Sequence, residues 1–182
     1  MSRARTLKEI EDRRAQYARY IWMAVLLSIT ASIVGIAVYI ALGLPSYFLF
    51  GQLPSAMLIT SFVLSILSAI AGYLSKSGVL RGEYGSASKL LLAAMLLSIV
   101  SIVLAASAFT PLMNNIVLEI CQTRVIAESS LPSCIYGFRL NVYAAFGAYL
   151  LINVGAVITY IFARKTLGHL LAYYAPRQIK RG

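Results

Sequence analysis

Charge is what this chain has least of. Asp, Glu, Lys and Arg make up 12% of its 182 residues, about half of what an ordinary soluble domain carries. A large soluble domain is thereby excluded, because no polar stretch is long enough to build one. Histidine occurs once, at His169. A haem held by two axial histidines, or a zinc site of several histidines, is impossible within one copy. Cysteine occurs twice, at Cys121 and Cys134, and never as Cys-x-x-Cys. A thiol-to-quinone relay, which needs such a pair and a second mobile one, therefore lacks its parts. No Gly-rich phosphate loop followed by Lys-Ser or Lys-Thr is present either. The glycines from Gly78 to Gly85 read as a flexible turn.

What remains is hydrocarbon. Apolar residues make up 60% of the chain and the mean hydropathy is +0.80. Four apolar runs stand out, at about 20–44, 55–74, 90–113 and 140–163. Each is long enough to cross about 30 Å of lipid as a helix. None contains Asp or Glu, and none carries a base near its centre. The first run is too long for a signal-peptide core and lacks a small-residue cleavage site, so it reads as a retained span. The expected fold is an all-α integral membrane protein, a bundle of four transmembrane helices. Residues 1–19 form a basic amphipathic segment, 20–164 the transmembrane domain and 165–182 a basic tail ended by Pro176.

Bases set the orientation. Fourteen of the sixteen Lys and Arg fall in residues 1–19, in the polar stretch 75–89 or beyond residue 163. Only Arg124 and Arg139 lie in the outer loop, 114–138, or at its edge. The positive-inside rule then places both termini and the middle stretch in the cytoplasm of a cell (plasma) membrane. Tyr20, Trp22, Tyr73, Tyr160 and Phe162 mark the inner interface. Tyr39, Tyr47, Phe48, Phe50, Phe109, Tyr136 and Phe138 mark the outer one. The net charge of +10 is thus a topology signal and a lipid contact, not a nucleic-acid footprint.

In lipid, helices associate through small residues that let backbones approach. The first run offers Ala24, Ser28, Ala31 and Gly35, and the second Ser61, Ser65, Ser68 and Gly72. The third offers Ala94, Ser98, Ser101, Ala105 and Ala108, and the fourth, more loosely, Ala144, Ala148, Gly155 and Thr159. Steps alternating between 3 and 4 predict left-handed packing of the coiled-coil type. Asn153 is the strongest hydrogen-bonding side chain near the middle of a run and predicts an interhelical bond to a serine or a carbonyl. Cys121 and Cys134, both in the loop placed outside, predict a disulfide that closes it, with a turn at Leu131-Pro132-Ser133. On the inner side, Leu7, Ile10, Arg14 and Tyr17 share one helical face. They predict either a helix lying on the lipid or a straight extension of the first span. Leu167, Leu170, Leu171 and Tyr174 repeat that pattern in the tail.

The missing intramembrane acids narrow function. Proton-coupled pumps and cation channels place ionisable groups inside the membrane, and embedded hydrolases need Asp, Glu, His or an activated Ser. The sequence therefore predicts no enzyme and no cofactor. It predicts a non-catalytic structural or accessory subunit, partnered by lipid and by other membrane subunits or copies of itself. One alternative is an oligomeric channel or carrier for a neutral or lipid-like solute, lined by Ser61, Ser65, Ser98, Ser101 and Asn153. A second is a quinone- or thiol-linked redox protein. The abundance of Ile, Leu, Ala, Tyr and Ser, with few Asn, Gln and Cys, fits a prokaryotic, thermophilic source.

Overall fold

The computed structural model describes residues 3–41, 53–124 and 131–178, all but a two-residue turn of which lie in four helices. Helix α1 covers Arg3–Ala41, α2 Leu53–Arg81, α3 Tyr84–Arg124 and α4 Leu131–Gln178. Four helices are long and apolar enough to cross a membrane, which points to a membrane protein. Their surface agrees. Leu26, Ile33, Ile40, Ile70, Leu96, Val103, Leu151 and Ile161 are all exposed, far more aliphatic surface than a soluble monomer leaves to water.

The helices are longer than the apolar runs. Hydropathy marks what hydrocarbon will accept, whereas helix continues wherever backbone bonds and packing support it. Helix α1 runs unbroken from Arg3 through the basic segment into the apolar run. The N-terminal segment is therefore the straight extension rather than a separate surface helix. The stretch expected to be a flexible turn is mostly helix, broken only at Gly82 and Glu83. Gly82 has φ of +83°. Its N–H donates to the Val79 carbonyl at 3.1 Å, and the Glu83 N–H donates to that of Gly78 at 2.8 Å. This is a Schellman cap, which favours glycine because its left-handed backbone carries no Cβ. The Glu83 carbonyl then accepts the Ala87 N–H at 3.0 Å, opening α3 at once.

At the other end α3 continues past Met113 to Arg124, and α4 begins at Leu131. Both cysteines thus sit on helices, and Leu131-Pro132-Ser133 is a helix start rather than a free turn. Pro54 and Pro132 occupy the second positions of α2 and α4, where a missing N–H costs nothing. The tail helix ends two residues beyond Pro176 instead of at it.

Neighbours in the bundle follow chain order around a ring: α1 with α2, α2 with α3, α3 with α4, and α4 with α1. Each neighbouring pair runs antiparallel. Ser75 meets Ala87 and Ser61 meets Ser101 between α2 and α3. Tyr20 meets Phe162 and Glu9 meets Tyr173 between α1 and α4. The start of α1, the end of α4 and the α2–α3 turn consequently gather at one end of the molecule. The Cys121–Cys134 disulfide, with Cα atoms 5.9 Å apart, ties α3 to α4 at the other.

Candidate functional site: a hydroxyl ladder and a basic groove

Interior positions repeat at alternating steps of 3 and 4 on every helix. On α1 they are Ile10, Tyr17, Ile21, Ala24, Ser28 and Ala31; on α3 they are Ala87, Leu91, Ala94, Ser98, Ser101, Ala105 and Ala108. Gly35 and Gly72 are buried as well. The small residues singled out on the first three runs all lie inside the bundle. Helix α4 differs. Ala144 and Ala148 are exposed, and α4 turns Val142, Tyr149, Asn153, Ala156, Tyr160 and Ala163 inward instead.

The tyrosines explain the geometry. Each needs room for a ring and a partner for its hydroxyl, and the serines and glycine of α2 provide both. Tyr160 Oη donates to the Ser68 carbonyl at 3.1 Å, over Gly72, where a Cβ would lie only 2.7 Å from that oxygen. Tyr149 Oη lies 3.3 Å from Ser61 Oγ and 3.1 Å from Ser101 Oγ. Between them, Asn153 Oδ1 accepts from Ser65 Oγ at 3.0 Å, and its Nδ2 donates to the Tyr149 carbonyl at 3.1 Å. The bonds of Tyr160 to Ser68, Tyr149 to Ser61 and Asn153 to Ser65 span the diagonal from α2 to α4.

The serines also bond to one another. Ser65 meets Ser101 at 2.8 Å and Ser68 meets Ser98 at 2.7 Å. Ser68 and Ser75 of α2 donate to the carbonyls of Ala94 and Ala87 on α3, and Ser101 donates back to that of Ser61. Ser32 of α1 donates to the carbonyls of Ser28 and Phe62 at 3.0 and 3.2 Å. Tyr17 joins Ser75 at 2.7 Å toward the end that carries the α2–α3 turn. The result is a ladder of hydroxyls along the bundle axis, with Asn153 at its middle.

Chemically, the ladder holds helices together. Among the described residues no Asp, Glu, Lys, Arg or His lies on it, so it has no general acid or base for neutral pH. Among the described residues there is also no group of three His, Cys, Asp or Glu that could hold a metal ion. Sequence reasoning passed over Tyr149, read Tyr160 as an interface marker and Tyr17 as part of an amphipathic face; all three are buried on the ladder. The signal was available in α4, where Tyr149, Asn153, Ala156 and Tyr160 keep the 4-3-4 spacing of the other seams.

Toward the disulfide end the ladder gives way to rings. Phe62 sits edge-on to both Tyr39 and Tyr149, at 6.3 and 5.5 Å. Phe109 stacks on Phe146 at 3.7 Å beside the disulfide cluster. Toward the end that carries the α2–α3 turn cations take over. Arg14 of α1 reaches Tyr84 at the start of α3, its Nε donating to the phenol oxygen at 2.9 Å. Lys76 Nζ stands 5.0 Å over the Trp22 ring, a cation–π arrangement.

A groove opens at this same end between α1 and α4. Arg13, Gln16 and Tyr20 form one wall, and Phe162, Lys165, Thr166 and His169 the other, around about 220 Å³. It is a second candidate site, distinct from the ladder in both position and charge.

Comparison with protein families, with characterised proteins and with solved structures finds no match for the chain.

Proposed function

We propose that the protein is a non-catalytic structural or accessory subunit of a larger membrane assembly. In this reading it crosses the cell membrane four times as a left-handed bundle, with both termini in the cytoplasm. One observation carries the role: the ladder's hydroxyls bond to each other and to backbone carbonyls, while the outer faces present aliphatic side chains. The residues a solute path would use are the same ones that fasten α2 to α3 and α4. Ser61, Ser65, Ser98, Ser101 and Asn153 are all buried and joined in this one ladder, which weighs against a channel. A single disulfide with no second thiol pair weighs against a redox relay. Support for left-handed packing comes from the seam spacing, which averages 3.5 residues. Support for the orientation comes from the bases gathered around both chain ends and the α2–α3 turn.

The test is extraction in a mild detergent followed by native mass measurement. The expected result is a complex of defined stoichiometry, containing other membrane chains or several copies of this one. A lone protomer under all conditions that keep the ladder folded would overturn the proposal.

A further inference from the structure

We infer that the α1–α4 groove at the inner end binds the phosphate of an anionic phospholipid headgroup. The argument begins with register. Residues 9, 13, 16 and 20 share one face of α1, and residues 162, 165, 166, 169 and 173 share the facing side of α4. Tyr20 and Phe162 stack at 5.9 Å, with their planes 28° apart, and close the groove toward the hydrocarbon. Tyr173 donates to Glu9 Oε1 at 2.9 Å and ties the same two helices together about three turns further out. Arg13, Lys165 and His169 lie between these two ties.

The one nearby carboxylate, Glu9, already takes a bond from Tyr173. Among the described residues none forms an ion pair with Arg13, Lys165 or His169. The groove therefore has three nitrogen-bearing side chains that can donate toward an anion, and Arg in particular offers a planar fork suited to phosphate oxygens. Two neutral groups complete the walls. Gln16 Nε2 donates to Tyr20 Oη at 3.2 Å, and the nearly buried Thr166 donates to the Phe162 carbonyl at 3.0 Å. An imidazole N–H donates in either protonation state, so His169 contributes whether or not it is charged.

The floor decides the source of the phosphate. Phe162 is half-exposed, and beyond it the same seam continues as Met23 and Ile158, both exposed. Leu27 there packs over Gly155. A phosphate held in the groove would thus have an apolar track leading from it into the membrane, which suits acyl chains and offers nothing to a free ion. Basic pockets between transmembrane helices at the cytoplasmic side suit anionic headgroups in general.

The test uses the whole protein in phosphatidylcholine nanodiscs, titrated with phosphatidylglycerol and read by lipid retained in native mass spectra. Saturable retention is expected for the parent protein. Arg13→Gln and Lys165→Gln should each weaken it about fivefold, and the pair roughly twenty-five-fold, at about one unit of headgroup attraction per base. Arg13→Lys should keep most of it. Lys89→Gln, which removes an exposed base elsewhere at the same end, should leave it unchanged. Equal losses from Lys89→Gln and Arg13→Gln would mean diffuse attraction and would overturn the site. Displacement of the lipid by inorganic phosphate at matched concentration would overturn the lipid as its occupant. Retention that survives the double variant would overturn both.

Discussion

Phe62 and Tyr160 depend on glycines, and that dependence locates the tightest packing in the molecule. A Cβ at Gly35 would overlap the edge of the Phe62 ring. That ring cannot swing aside, because Tyr39 and Tyr149 hold it edge-on from two directions. Gly35→Ala should therefore lower stability by about 1–3 kcal/mol, the usual cost of overpacking. Gly147, half-buried on α4 with open space around its Cβ direction, provides the control. Gly147→Ala should be neutral or gain up to about 1 kcal/mol from helix propensity. Thermal unfolding of both variants in one detergent measures the difference, and equal midpoints would remove the packing argument. The same logic shows which side chains the sequence disclosed. Small residues on α1, α2 and α3 were legible because three seams repeat one size class. The α4 seam was hidden because it inverts the rule, setting bulky Tyr149 and Tyr160 against Ser61, Ser68 and Gly72 of α2. Of the four small residues read from the α4 run, Ala144 and Ala148 face outward, Gly155 is half-buried and only Thr159 is buried.

Helix existence was legible from four apolar runs; helix ends were not. Apolarity reports where lipid is acceptable, and it falls off at Ser75 and again near Asn114, yet helix continues past both. Ser75 remains helical because its hydroxyl bonds the Ala87 carbonyl and Tyr17, with Val79 and Tyr84 buried nearby. Such support comes from tertiary partners, which residue composition does not reveal. The disulfide was legible, since two cysteines in an oxidising compartment leave one pairing. Its placement on two helices was not, and that placement changes what it does. Cys121–Cys134 clamps the end of α3 to the start of α4, next to Phe109, Val142 and Phe138. Reduction should lower stability by roughly 3 kcal/mol, as expected for a loop of about this length. The loss should be local. Hydrogen exchange should quicken in the turns around Cys121 and Cys134, while amides near Ser98 and Asn153, held by the ladder, stay protected. Uniform quickening along all four helices would show that the clamp, not the ladder, holds the bundle.

At the scale of the whole molecule, the antiparallel ring leaves little freedom. Glu9 touching Tyr173, and Arg14 touching Tyr84, place the start of α1, the end of α4 and the α2–α3 turn at one end of the bundle, whichever side that is. Charge supports the side proposed above. Bases crowd that end, whereas Arg124 and Arg139 are the two that accompany the disulfide, and translocating basic segments is disfavoured. The disulfide points the same way, because it requires its end to face an oxidising compartment. Two constraints, one electrostatic and one redox, thus support the orientation proposed above. Single cysteines can read it, since Cys121 and Cys134 are already paired and do not compete for reagent. Glu11, Ser86 and Tyr136 are exposed positions on α1, α3 and α4. In intact cells a membrane-impermeant maleimide should label Tyr136→Cys and spare Glu11→Cys and Ser86→Cys, both of which should react after permeabilisation. Labelling of Glu11→Cys and Ser86→Cys from outside, with Tyr136→Cys protected, would invert the molecule. Labelling of Glu11→Cys and Ser86→Cys from opposite sides would be worse for the argument: α1 and the α2–α3 turn would lie across the bilayer from each other. No bundle in which Arg14 reaches Tyr84 could satisfy that result.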